Sequence, residues 1–335
     1  MPIISSSDYA SPFFLRSGHV QTLFPVLFRK VAATRPRTER IETPDGDFLD
    51  LDWHSCNEQQ RAHRLAPRLA IISHGLEGHS QRKYVLGMVA ALNRRGWDVL
   101  AWNMRGCGGA ENRLLASYHS GFTEDLRHVL SHALNRYTDI EVALVGFSIG
   151  GNQILKYLGE NPGFVPPQVT RAVTISAPCD LTATARVMRR AQNRIYTEYL
   201  LRSLRRKVWN KSERFRNELD VSGLDAISTF DEFDERYTAP MHGFAGSAEY
   251  YRLASCKPFL PAVRVPSLIL SAADDPLLAP ECFPRAEATA NPSLFLETPP
   301  HGGHVGFVTF SDGGEYYAER RTCAFLDGPG LAAQQ

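Results

Sequence analysis

The five residues Gly146-Phe147-Ser148-Ile149-Gly150 match the pattern G-x-S-x-G, and their flanks give the match its meaning. Residues 142–147 form an apolar run of strand length, and residues 152–158 carry a helical pattern. Ser148 is therefore expected on a tight strand-to-helix turn. Such a turn strains its central residue, and side chains two positions away would collide with neighbouring backbone; glycine stands at both places. The turn lifts the hydroxyl above the sheet and aims unpaired helix N–H groups at developing negative charge. The N–H of Ile149 is the first such donor. A glycine-rich turn with an incidental serine would show the same letters, so the partners decide.

A hydroxyl is a poor nucleophile until a base takes its proton. Where the serine sits on a strand–turn–helix corner, an acid and then a histidine follow it in the chain. His301-Gly302-Gly303-His304 comes just after an apolar run at 294–296. His304 is the candidate base, because the two glycines before it let the loop approach closely; His301 is the alternative and reads as structural. Asp274-Asp275-Pro276 follows the run 267–270. An Asp there can accept the imidazole N–H, fix its tautomer and stabilise the imidazolium. The register from Pro266 favours Asp275, with Asp274 as a cap or turn residue, but spacing does not settle the choice. His74-Gly75-Leu76-Glu77-Gly78 follows the run 69–73, and the Leu76 N–H is the second candidate oxyanion donor. His74 reads as an orienting residue. Together these residues could run a two-step acyl transfer: Ser148 attacks an ester carbonyl, His304 relays the proton, and water releases the acid.

Chemistry at that distance in sequence needs a frame that brings the ends together. Short apolar runs at 69–73, 98–102, 142–147, 172–176, 267–270 and 294–296 alternate with helical patterns. The helices are expected at 82–95, stopped by Gly96, at 123–137 with Thr123 as cap, within 152–158, and at 315–326. This alternation means a mostly parallel sheet with helices on both faces, every strand ending at one edge. That edge carries the site in open α/β sheets. A hairpin precedes it, from 40–43 and 48–53 around Pro44-Asp45-Gly46-Asp47. From 181 to 263 the alternation breaks into charged helical stretches, read as a cap over the edge. The expected organisation is an arm at 1–36, a core at 37–180 and 264–328, and a helical cap insertion at 181–263. The tail after Gly328 is expected to fray.

The bulk properties agree with a globular enzyme of 335 residues. Hydrophobic residues make up 43%, charged residues 22%, and the net charge is +1. No global field draws the chain to nucleic acid, and no reader motif is present. The six cysteines are scattered without a C-x-x-C pair and read as free thiols of a reducing compartment. No secretory leader is legible, so the expected location is cytoplasmic. Residues 13–33 are apolar in patches, too interrupted to span a bilayer, and are expected to pack as an arm, with an amphipathic surface contact as the alternative.

Residues 186–216 carry eleven Arg and Lys residues against Glu198 and Glu213. They read as the solvated face of cap helices, with a weak contact to an anionic membrane or an acidic substrate as the sharper reading. Tyr196, Tyr199, Leu200, Leu201 and Trp209 interleave with them as candidate acyl-pocket residues, and Asp231-Glu232-Phe233-Asp234-Glu235 as their ion-pair partners. Arg105-Gly106-Cys107-Gly108-Gly109 lacks phosphate-loop spacing, so Arg105 is expected buried or paired with a carboxylate. His119 and Asp125 could be offered as an acyltransferase pair; a polar turn into the next helix is the preferred reading.

Several of these segments form a wider pattern. To them belong Ser17-Gly18-His19-Val20-Gln21-Thr22, Asn103-Met104-Arg105-Gly106-Cys107-Gly108-Gly109 and Tyr118-His119-Ser120-Gly121, and the nucleophile motif extends through Gly151-Asn152. With Asp274-Asp275-Pro276 and His301-Gly302-Gly303-His304-Val305-Gly306-Phe307, the chain resembles the YheT-like branch of the α/β-hydrolase superfamily, which also holds the ABHD proteins. The resemblance implies an α/β-hydrolase fold and a triad of Ser148, Asp275 and His304. It implies carboxylic ester hydrolysis, with some members acting on lipids or transferring acyl groups, and neither metal nor organic cofactor. The expectation is a serine esterase for short- to medium-chain acyl esters. Its competitors are a lipase, phospholipase or alcohol acyltransferase at a membrane surface, and a non-catalytic binding protein on the same fold. Neither the substrate nor the oligomeric state is fixed by the resemblance.

Overall fold

The computed structural model describes residues 3–32, 35–57, 67–137, 139–310 and 313–328; the tail expected to fray lies outside them. Among the described residues nine strands form one sheet in the order β1-β9-β8-β7-β6-β4-β5-β3-β2. They are β1 (Ile3–Ile4), β2 (Arg37–Glu42), β3 (Phe48–His54), β4 (Arg68–Ser73), β5 (Asp98–Asn103), β6 (Glu141–Phe147), β7 (Val169–Ile175), β8 (Ser267–Leu270) and β9 (Leu294–Glu297). Only β2 and β3 run against their neighbours. The central strands are buried on both faces, which is why they read as unbroken apolar runs.

The hairpin turns at Gly46, whose φ of +86° suits glycine. Strand β2 starts three residues before its expected position. Its exposed face is polar and is held by cross-strand bonds from Thr38 to Asp52 and from Arg40 to Asp50, so apolar alternation does not reveal it. Strand β1 pairs parallel to β9 at the sheet edge. Two residues carry no readable period, and the sequence gives no sign of this strand.

Helices α1 (Gly18–Phe28), α2 (Lys83–Arg94), α3 (Glu124–Leu134), α4 (Ile149–Glu160), α5 (Leu181–Met188), α6 (Arg194–Ser212), α7 (Ser247–Ala254), α8 (Arg285–Ala290) and α9 (Tyr317–Asp327) complete the frame. Leu126 and Val129 of α3 and Ile154 and Leu155 of α4 fill the core on one face of the sheet. Val85 and Met88 of α2 and Tyr317 of α9 fill it on the other. Thr123 does not cap α3 as expected: its side chain makes no cap bond, and its hydroxyl goes to Glu160 instead. A true cap stands at Asp180, which accepts the Ala183 N–H and starts α5.

The segment from α5 to α7 is helical and has its own small core, with Leu201, Val208, Leu224, Phe233 and Tyr237 buried together. Among the described residues no helix is long and apolar enough to cross a membrane. Cys107, Cys179, Cys256, Cys282 and Cys323 are free thiols.

Candidate active site

Ser148 stands between the end of β6 and the first residue of α4, with φ +51° and ψ −123°. This backbone conformation costs about 1–3 kcal/mol and persists only where surroundings enforce it. The Ser148 N–H donates to the Ile175 carbonyl at 2.9 Å, and its own carbonyl accepts from Gly151 and Asn152. A Cβ at Gly150 would stand 2.4 Å from the Ser73 carbonyl oxygen, so glycine is required where the turn passes β4.

The loop after β9 brings His304 to this serine. Its Nε2 lies 3.1 Å from Ser148 Oγ, and its Nδ1 lies 2.9 Å from Asp275 Oδ2. The Asp275 side chain is fully buried, and its Oδ1 also accepts the Leu277 N–H. Asp274 takes the other direction. It accepts the Gly303 N–H at 2.9 Å and faces His301 Nδ1 at 3.4 Å. The two carboxylates point different ways: Asp275 meets His304, while Asp274 meets His301 and the Gly303 N–H.

The loop after β4 forms the facing wall. Neither the Leu76 N–H nor the Ile149 N–H has an acceptor within the described residues, and both residues line the cavity above Ser148. His74 sits fully buried behind them. Its Nδ1 bonds the Gly75 carbonyl, and its Nε2 accepts the Met104 N–H. Those two bonds require a neutral ring with the proton on Nδ1, and burial pushes its pKa down to about 4.

Sequence reasoning passed over Glu77. Its φ is +53°, and its buried carboxylate receives Ser203 Oγ at 2.6 Å and Lys207 Nζ at 2.7 Å, both from α6. Tyr118 bonds both its backbone N–H and its Oε1. The residue beside Leu76 is thus tied to the overlying helix. Only its place in a glycine-flanked loop hinted at this.

The segment Ser17–Thr22 was legible as a pattern but not as a part. Thr22 Oγ1 accepts the His304 N–H, and Gln21 Oε1 accepts the Val308 N–H. Gly303, at φ +58°, lies so near that a Cβ would meet the Gly18 carbonyl oxygen at 2.3 Å. The amino-terminal arm therefore holds the histidine loop from outside, while Ser176 Oγ accepts the Val305 N–H from inside.

Above Ser148 and His304 opens a cavity of about 490 Å³, walled mostly by apolar side chains of α1, α5, α6 and α7. Tyr196, Tyr199 and Leu200 line it as expected. Leu201 and Trp209 do not: Leu201 is buried in the core beneath α6, and Trp209 faces outward. Both lie on other faces of a helix whose apolar residues the sequence could not sort.

Four of the eleven basic residues of the stretch pair with carboxylates among the described residues. Arg186 pairs with Glu281, Arg189 with Asp231, Arg205 with Glu198 and Lys207 with Glu77. Lys211 and Arg214 donate to backbone carbonyls. Of the acidic run, Asp231 alone pairs with that stretch. Glu232 closes a capping box with Thr229, Asp234 accepts from Tyr251 and Thr238, and Glu235 accepts from Ser247. Short helices and turns needed those acids locally.

Arg105 is buried and bidentate to Asp125, with Asp45 as a further partner. Asp125 is thereby taken from His119, which packs among Phe122, His242, Phe244 and Tyr250 with its pKa driven down by burial. The His119–Asp125 pair is not formed. Among the described residues no cluster of His, Cys, Asp or Glu could hold a metal ion.

Comparison with known proteins identifies the fold and the family. Residues 71–311 match the family model of the alpha/beta hydrolase fold. The chain is 36% identical to YheT of Escherichia coli (strain K12), over 91% of this chain and 88% of that one. It is 28% identical to the phospholipase ABHD3 of Homo sapiens, over 92% and 75%. The esterase Pf2001 of Pyrococcus furiosus superposes with a TM-score of 0.57 at 16% identity, over 87% and 90% of the two chains, a likeness of fold. The chain belongs to the YheT-like branch of the α/β-hydrolase superfamily, the branch that also holds the ABHD proteins.

Proposed function

We propose that this protein hydrolyses short- to medium-chain carboxylic esters through an acyl-enzyme on Ser148. As a member of its branch it is a carboxylic ester hydrolase; the triad and the substrate range are the finer part of the reading. The carrying observation is the unbroken relay of 3.1 Å and 2.9 Å from Ser148 through His304 to Asp275.

His304 takes the Ser148 proton as Oγ attacks the ester carbonyl. Asp275, buried and held by the Leu277 N–H, keeps the imidazole oriented and offsets its charge. The Leu76 and Ile149 N–H groups receive the oxyanion, which two donors stabilise by several kcal/mol, on the order of 3 for each. His304 then protonates the departing alcohol, and water repeats the sequence to free the acid. The apolar cavity accommodates the acyl chain, and its size supports chains of small to medium length. No step calls for a metal or an organic cofactor. Free thiols fit a reducing compartment, and we place the enzyme in the cytoplasm.

Turnover of p-nitrophenyl acetate, butyrate and octanoate by the wild type and Ser148→Ala tests the reading. The variant should lose roughly 10⁴-fold or more in kcat while keeping its melting temperature. Substantial turnover by the folded variant would refute it.

A further inference from the structure

Helix α1 is built inside out. Its buried positions are Gly18, Gln21 and Pro25, whereas Leu23, Val26, Leu27 and Phe28 face outward. A surface helix ordinarily buries its apolar stripe. Here Phe28 is 64% exposed and Leu27 66%. The apolar surface continues beyond the helix: Phe13 packs on Phe14, Phe14 stacks on Phe310, and Phe310 meets Phe24. Phe13 is 80% exposed. Contiguous exposed apolar surface of this kind marks an interaction site.

Two further observations name the partner. First, residues 9–32 contain no Asp or Glu, while Arg16 and Lys30 are exposed and make no ion pair among the described residues. Arg194 and Ile195 of α6 extend the same mixture, both exposed. Cationic side chains beside an apolar face match an anionic lipid surface. Second, Leu23, Val26, Ile195 and Tyr199 are at once exposed and part of the cavity wall, so the cavity opens through this patch. A second protein seated here would seal the opening. A lipid surface would face it with apolar chains.

We propose that the outward face of α1, with Phe13, Phe14 and Phe310, docks on anionic phospholipid surfaces and sets the cavity mouth against them. The surface lies on the amino-terminal arm and its junction with α6, where exposed Arg194 and Ile195 adjoin the apolar face and the cavity mouth. It goes beyond the ester-hydrolase reading and does not depend on it, because vesicle binding is read without turnover.

Flotation with vesicles of phosphatidylcholine alone, or mixed with phosphatidylglycerol, tests the proposal. Wild type and Ser148→Ala should float equally with the mixed vesicles and much less with the neutral ones. The triple variant Phe13→Ser, Leu27→Ser, Phe28→Ser should lose roughly tenfold in the floated fraction. Its turnover of soluble p-nitrophenyl butyrate should be unchanged, which also shows that it is folded. Arg16→Glu with Lys30→Glu, which leaves the apolar face intact, should reduce flotation with mixed vesicles alone. Equal flotation of the triple variant, equal uptake on neutral vesicles, or no flotation of the wild type would overturn the proposal. So would sedimentation velocity showing self-association that the triple variant abolishes without any vesicle binding, which would assign the face to a second copy of the chain.

Discussion

The cavity has two walls made in different ways. On the sheet side, the loops leaving the strand ends carry left-handed backbone at Glu77, Ser148, Ser176 and Val305, four non-glycine residues within one site. Each is fastened by directed bonds, as Ser148 is to Ile175 and Val305 to Ser176. On the cap side, α5, α6 and α7 contribute Met188, Leu200, Leu204 and Tyr250 from ordinary helices. Strain is retained where reacting atoms must be placed to a fraction of an ångström. The apolar wall needs volume and exclusion of water, which ordinary helical packing supplies. Chemistry and specificity should therefore respond separately to substitution, except at Glu77, where the walls are joined.

The sharpest break in the comparison is expected between two adjacent carboxylates. Asp275→Asn should lower kcat by about 10⁴-fold, because an amide at Nδ1 favours the wrong imidazole tautomer. Asp274→Asn, one residue away, should cost less than roughly tenfold, since it loosens only a loop. Equal losses at both positions, measured as kcat on p-nitrophenyl butyrate, would erase the distinction between the relay and its support.

Glu77→Gln tests the tie between the walls. Removing the charge that Lys207 and Ser203 of α6 hold should let the Leu76 loop drift, lowering kcat by about 10- to 100-fold while KM changes little. A change in KM alone would mean that the tie shapes the cavity rather than the oxyanion donors.

The smallest effect is expected on the cap wall. Met188→Phe, which adds volume to the cavity lining, should cut kcat/KM for the octanoate ester by about tenfold and leave the acetate ester nearly unchanged. A uniform loss across acyl lengths would show that this wall takes part in the chemistry as well.

What the sequence disclosed follows the range of the contacts. The Ser148 turn was legible because strand, glycines and helix lie within a dozen residues. His304 was legible because glycine and histidine mark a close-approach loop. Asp275 was half legible: adjacent carboxylates share every spacing argument, and only side-chain direction separates them. The Glu77–Lys207 tie and the Thr22–His304 bond span 130 and 282 residues, and no local pattern encodes them. On α6, Tyr196 and Leu200 reach the cavity while Leu201 does not, because neighbouring positions on a helix point about 100° apart and the helix has apolar residues on several faces. The sequence showed the apolar character of α1, but its turned-out face became visible only once Gly18, Gln21 and Pro25 were seen packed inward.

The central claim concerns one hydroxyl made reactive by one imidazole. A fluorophosphonate probe, followed by peptide mapping, measures that reactivity without presuming a substrate. The expected result is a single adduct on Ser148 that forms rapidly in the wild type and is nearly absent in folded His304→Ala. A native protein that never labels at Ser148, or one that labels as fast without the imidazole, would contradict the account.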